Sequence, residues 1–242
     1  MSVIMSVVNQ SRIKNKIVIL DCCDSGAFGE FGTGSYLESG VTILAAAERG
    51  KSAYDNDEGH GRFTGLLCGA LDGGAADCYG NITIGGIYGY IEKSFSAMRQ
   101  SQKDKASQQN LEDHPSQQRP VFKSNVSELV TLRTVKPKVE KQKIEELTRL
   151  FSSPDIEFKL DPSYERTNAK DNIIEPKKPY AIDANISKLK TLQKLESIGL
   201  VEPVGEEHMY YAAMNSKSCR LTELGKHYWY LVKQEQTPPD AR

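Results

Sequence analysis

Two adjacent cysteines, Cys22 and Cys23, sit in the turn Asp21-Cys22-Cys23-Asp24-Ser25-Gly26, directly after the run Lys16-Ile17-Val18-Ile19-Leu20. The β-branched run reads as a buried strand. The turn then holds a thiol at the strand's carboxyl end, where ligands and chemistry collect in open α/β sheets. A thiolate attacks carbonyl carbon, but a free thiol with a pKa near ~8.5 is mostly protonated at neutral pH and needs a base or a favourable field. Nothing in the sequence reads as a secretion signal, so such a thiol is first a nucleophile and only then a disulfide partner.

The elements that must position it follow from periodicity and punctuation. Residues 2–12 read as a short helix leading into the strand at 16–21. Residues 24–40 are rich in Gly and Ser and form a loop beside the cysteines. Val41-Thr-Ile-Leu-Ala-Ala-Ala47 is a second strand, apolar on both faces as a helix-covered parallel sheet requires. Phe63, Leu66, Leu67, Ala70 and Leu71 recur at helical spacing and stop at Gly73-Gly74. Residues 82–84 read as a short strand or turn, and Ile87 to Met98 as an amphipathic helix. The polar stretch 99–119 is expected to be mobile. Arg119-Pro-Val-Phe122 opens one more strand, and residues 129–137 lead out of the first domain.

The motifs around these elements resemble the caspase and metacaspase family of cysteine proteases. Asp21-Cys22-Cys23-Asp24-Ser25-Gly26 is similar to the family's Asp-Ser/Cys-Cys-His-Ser-Gly turn. Glu48 and Ala53-Tyr54-Asp55 after the second strand, Arg62-Phe63-Thr64 with the helix to Gly69-Ala70-Leu71, Gly73-Gly74-Ala75-Ala76-Asp77 with Asn81-Ile82-Thr83-Ile84, and Gln118-Arg119-Pro120 continue the series in order. The resemblance covers residues 2–133. It implies an α/β domain with a doubly wound, mostly parallel sheet, incomplete because its first strands are missing. It also implies a cysteine-type endopeptidase of bacterial type with Cys23 as nucleophile. The N–H groups of Cys23 and of the site loop, Ser25 and Gly26, would hold the oxyanion. Asp21 would line the first specificity pocket and pair with a substrate Arg or Lys.

One departure stands out. The family's catalytic His lies upstream of the cysteine strand, and none of residues 1–22 is His. The base would have to come from a separate subunit or a missing upstream segment. Gly59-His60-Gly61 supplies a weak alternative base in His60, downstream and in a loop. No metal site or cofactor is expected: the five cysteines have no Cys-x-x-Cys pairing. Asp72, Asp77 and Asn81 suit an Asx-capped turn better than a calcium loop. The resemblance leaves calcium dependence open without an assignable site. Cys22 and Cys68 read as small buried hydrophobes.

Residues 134–178 read as a charged helix over 138–152 and an extended, Pro-punctuated linker. Residues 179–236 follow with a helix (Ile186, Leu189, Leu192, Leu195, Ile198), two strand-like pieces at His208–Met214 and Ser218–Leu221, and a final helix over Glu223–Gln234 capped by Thr222. This order resembles the second half of a winged-helix domain, a small α+β fold. Residues 179–242 carry eight Lys plus Arg against eight Asp plus Glu, so the footprint of a phosphate-binding surface is missing. Tyr210, Tyr211 and Trp229 favour contact with a protein regulator over nucleic acid.

The net charge of −1 gives no general attraction to nucleic acid or anionic membrane, and no apolar stretch is long enough to span a bilayer. An odd, scattered set of cysteines fits a reducing cytoplasm. The expectation is a cytoplasmic protease acting on a protein or peptide substrate. Two alternatives stay beside it: a catalytically incomplete caspase-like adaptor, and a DNA-binding regulator using its C-terminal block.

Overall fold

The computed structural model describes residues 2–21, 37, 39–46, 61–103, 118–171 and 176–236. The chain divides into two compact units, Met1–Lys136 and Pro137–Arg242. Among the described residues the architecture is mixed α/β with small sheets, two of three strands and one of two.

In the first unit, helix α1 (Ser2–Gln10) precedes strand β1 (Lys16–Leu20), which pairs in parallel with β2 (Val41–Ala45). Strand β4 (Val121–Asn125) runs antiparallel along the other side of β2. Strand β2 is therefore central, and every residue of it is buried. Its alternation sends Leu44, and Ala46 beyond it, into a core with Phe63, Ile82, Ile87, Ile91 and Phe95. Val41 and Ile43 face the other way, against Val8 of α1, Val18 and Leu37. Apolar side chains on both faces are what the Val41–Ala47 run required. Thr42, the one polar residue of β2, shares a hydrogen bond with the hydroxyl of Ser124 at 2.8 Å, so its burial leaves no unmet polar group.

Helix α2 (Arg62–Gly69) runs on into a π-helical turn, Ala70–Gly74, and stops where the sequence placed the break. Gly73 has φ 124°, a conformation that a side chain disfavours. Asp77 then accepts from the backbone N–H groups of Tyr79 (2.9 Å) and Asn81 (2.8 Å), the Asx-capped turn that launches β3 (Asn81–Thr83). Helix α3 spans Ile84–Lys103, longer than its Ile87–Met98 periodicity. The N-terminal extension has a cause, since Thr83 Oγ1 accepts from the N–H of Gly86 at 3.1 Å and caps the helix before its apolar stripe begins. At the other end residues 99–103, expected to be mobile, continue the helix. Residues 131–134, expected only to leave the domain, form β5 (Thr131–Thr134), antiparallel to β3.

The second unit begins earlier than the sequence suggested. The charged helix expected over 138–152 is present as two short helices, α4 (Lys141–Glu145) and α5 (Leu147–Leu150), with Val139, Ile144, Leu147 and Phe151 buried, and the compact unit that holds them starts at Pro137. Strand β6 (Phe158–Lys159) joins the sheet. Helix α6 (Asp183–Ser197) buries Leu189, Leu192 and Leu195, as its spacing predicted. The hairpin differs from expectation. Residues 209–214 form a helix, α7 (Met209–Met214), because Met209, Ala212 and Ala213 recur at i, i+3 and i+4 and are the residues buried. The partner of β8 (Ser218–Leu221) is instead β7 (Val201–Val204), with β6 on its other side. Pro203 is accommodated because β7 is an edge strand.

Helix α8 (Glu223–Gln236) starts at the expected cap, Thr222 Oγ1 accepting from Gly225 N–H at 3.0 Å. Trp229 Nε1 donates to the carbonyl of Phe151 at 2.8 Å, tying α8 to the end of α5. Gly225 sets how closely α8 approaches the start of β7, since a Cβ there would lie 1.9 Å from the Leu200 carbonyl oxygen. Gly225→Ala is predicted to destabilise this unit by about 2 kcal/mol or more. The fluorescence of the single tryptophan should report that loss as a lower melting temperature; an unchanged melting point would refute the close packing.

Candidate functional site

Because β1 and β2 are parallel and in register, both strands end at one edge, Leu20 beside Ala45, with the N–H of Ala46 donating to Leu20 O at 2.9 Å. Asp21 and Ala46 thus leave the sheet side by side. The antiparallel β4 enters at the same edge, Val121 opposite Ala45. Just ahead of it, the buried Gln118 donates its Nε2 to the carbonyl of Ala46 at 2.9 Å. Its Oε1 is sealed from solvent and has no partner among the described residues. Arg99 of α3 holds the same segment through a 3.0 Å bond to the Gln118 carbonyl, and is itself paired with Glu92.

Asp21, the acid ahead of the cysteines, is exposed at this edge, and its carboxylate accepts a hydrogen bond from Thr64 Oγ1. Thr64 stands in the first turn of α2, an end of the helix where negative charge is favoured. The carboxylate is therefore oriented, and its exposure leaves it able to receive a cation. The sequence quoted Thr64 only as part of a motif. Its role depends on the fold bringing α2 to the end of β1, which no local spacing reveals.

The remaining expected site residues, Cys22, Cys23, Ser25, Gly26 and His60, lie outside the described residues. Of the other cysteines, Cys68 is a correction. It is exposed on α2 rather than a buried hydrophobe, because the buried side of that helix is the one carrying Phe63. Cys219 is fully buried in β8, and burial, reinforced by Glu196 and Glu157, pushes its thiol up to about 12. Among the described residues no cluster of three or more His, Cys, Asp or Glu could hold a metal ion.

In the second unit, α7 exposes Tyr210 and Tyr211, edge-on to one another at 5.2 Å, with His208 stacked on Tyr211 at 6.2 Å. Tyr230 on α8 is also exposed, whereas Trp229 is buried. A groove of about 460 Å³ is lined by Pro154, Asp155, Glu157, Glu202, Arg220 and Lys226 among others. Its charges neutralise one another: Arg220 bonds Glu202 at 2.7 Å, and Lys226 reaches Asp155 and Glu223 at 3.0 Å each.

No protein-family model, curated protein or solved structure matches the chain.

Alkylation should separate these thiols. In the native protein Cys68 is predicted to react readily with iodoacetamide while Cys219 resists until unfolding, as read by peptide mass spectrometry. The folded Cys219 keeps its proton to higher pH than the unfolded thiol, ordinarily 9.0. Its contribution to stability is therefore complete below pH 9.0 and lost as pH rises toward about 12. Cys219→Ala should flatten that part of the stability profile; an identical alkaline slope would contradict the assignment.

Proposed function

We propose that the chain is the C-terminal part of a caspase-like cysteine endopeptidase cleaving after Arg or Lys, followed by a winged-helix-like module that contacts a protein regulator. The observation that carries the reading is the placement of Asp21 at the carboxyl edge of a parallel strand pair, its carboxylate oriented by Thr64 and open to solvent. Cys23, two residues later in sequence, would attack the scissile carbonyl. The tetrahedral oxyanion would be held by backbone N–H groups of the Ser25-Gly26 loop. Its collapse to a thioester would expel the peptide amine with a proton from an imidazole, and water would then hydrolyse the thioester to the acid and free thiol. Asp21 would pair with the substrate cation, a charge-assisted contact that selects Arg or Lys over Asp.

The reading also needs a general base. No His occurs among residues 1–22, so the imidazole would come from a separate subunit or another segment, with His60 a weaker source. A second reading is a caspase-like adaptor that acts by binding a protein partner. Exposed Tyr210, Tyr211 and Tyr230 support a protein-binding role for the second unit, and the pairing of Arg220 and Lys226 with carboxylates counts against phosphate binding there.

The two readings separate in a cleavage assay with Arg- and Lys-terminated peptide substrates, the chain being supplemented with a His-bearing caspase-like N-terminal half. The protease reading predicts cleavage that Cys23→Ala abolishes and that Asp21→Asn lowers by about tenfold or more, through the lost charge pairing. Absence of cleavage under all conditions, or activity indifferent to Cys23→Ala, would favour the adaptor.

A further inference from the structure

Helix α7 turns Met209, Ala212 and Ala213 into the core of the second unit, which leaves Tyr210 and Tyr211 outside at 40% and 49% exposure. Their rings lie edge-on at 5.2 Å, and His208 stacks on Tyr211 at 6.2 Å, so the three rings form one surface cluster. The carboxylates beside this cluster differ from others on the unit. Glu202 meets Arg220, Asp155 and Glu223 meet Lys226, and Glu146 meets Lys143. Glu206 and Glu207, which lead into α7, form no ion pair among the described residues. Glu206 instead accepts from Nδ2 of Asn215, the residue that closes α7, at 2.9 Å, and Glu207 is exposed. A third carboxyl, Glu196 of α6, lies within electrostatic reach of His208. Of the cations around α7, Lys177 donates to the Met214 carbonyl and to Asn215 Oδ1 at 3.3 and 3.5 Å, with the Asn215 amide between it and Glu206. Lys217 is exposed beyond the end of the helix.

We propose that this face docks a basic segment, bearing Arg or Lys, of a partner protein. The inference rests on the protein-binding reading of the second unit and is independent of the proteolytic one. The face of an aromatic ring carries the negative end of its quadrupole, and the aliphatic stem of Arg or Lys covers a ring while its charge reaches beyond. Tyr210 and Tyr211 supply the rings, and Glu206 and Glu207 the carboxylates for that charge. Arg suits the face better than Lys, because a planar guanidinium stacks on a ring and still bonds a carboxylate.

Charge complementarity selects this occupant. An acidic or phosphorylated segment would be repelled by Glu206 and Glu207. An uncharged apolar segment would cover the rings at the cost of drying Glu207 without a partner. A second copy docking through the same face would gather the Glu206 and Glu207 carboxylates of both copies into one interface. The bond from Asn215 holds Glu206 in place before a partner arrives, so less side-chain freedom is lost on binding.

Fluorescence anisotropy of the full chain with three labelled peptides of equal length, built on Arg-Gly, Gln-Gly and Glu-Gly repeats, tests this. The Arg peptide is expected to bind about tenfold or more tightly than the other two, and to weaken as salt rises. Tyr211→Ala, which leaves the net charge unaltered, should weaken it about fivefold, whereas Tyr211→Phe keeps the ring and should bind like wild type. Glu206→Gln and Glu207→Gln together should weaken it about tenfold. Melting followed by Trp229 fluorescence confirms the fold of each variant, and if Tyr211→Ala unfolds, the glutamate pair carries the test. A preference for the Gln or Glu peptide, or folded variants that all bind the Arg peptide like wild type, would overturn the proposal. So would dimers in sedimentation velocity that Tyr211→Ala dissociates, since they would give the face to a second copy. Only if none of the three peptides binds does the protein-binding reading of the unit lose support as well.

Discussion

The first unit depends on one ladder, the parallel pairing of β1 with β2. An antiparallel partner would have carried Asp21 and Ala46 to opposite ends of the sheet. Parallel pairing sends both chain exits to a single edge, with Leu20 beside Ala45. Everything that could serve chemistry in that unit is then recruited to the edge from other elements. Thr64 comes from the start of α2 and Gln118 from the approach to β4, and Arg99 braces Gln118 from α3. Burial of β2 on both faces keeps the ladder in place, because a slip by one residue would turn Leu44 out of one apolar cluster and Ile43 out of the other.

Features encoded over a few neighbouring residues were legible in the sequence. The unbroken apolar run of β2, the halt of α2 at Gly73, the Asp77 turn and the Thr222 cap each rest on local stereochemistry or a short-range hydrogen bond. Features that depend on distant partners were not. Residues 208–214 read as a strand-like piece, yet the residues that reach the core there are Met209, Ala212 and Ala213, and burial selected the helix. The helix over 138–152 was legible from its apolar positions, but that it and the Pro-punctuated stretch after it belong to the second unit was not. Helices α4 and α5 pack against α6 and α8, elements from after residue 180 that no local spacing brings to them. The pairing of Thr64 with Asp21 spans 43 positions and left no trace in local spacing.

The two edges of β1 divide its work. Its carboxyl end delivers Asp21, and in sequence the cysteines, to the site, while its other side has no strand partner among the described residues. A strand with this composition is aggregation-prone when left uncovered.

In the second unit the surface is built differently. Its basic side chains at the groove are held by carboxylates, and its exposed aromatics are gathered on α7 and α8, which suits recognition of a protein surface.

The central claim is that the thiol following Asp21 is a nucleophile reached by cationic substrates. An arginyl chloromethyl ketone, followed by peptide mapping, tests it most directly. The account predicts that Cys23 is labelled faster than Cys68 and faster than by an uncharged chloromethyl ketone, and that Asp21→Asn removes this advantage. Modification confined to the exposed Cys68, or labelling of Cys23 no faster with the arginyl reagent than with an uncharged one, would contradict it.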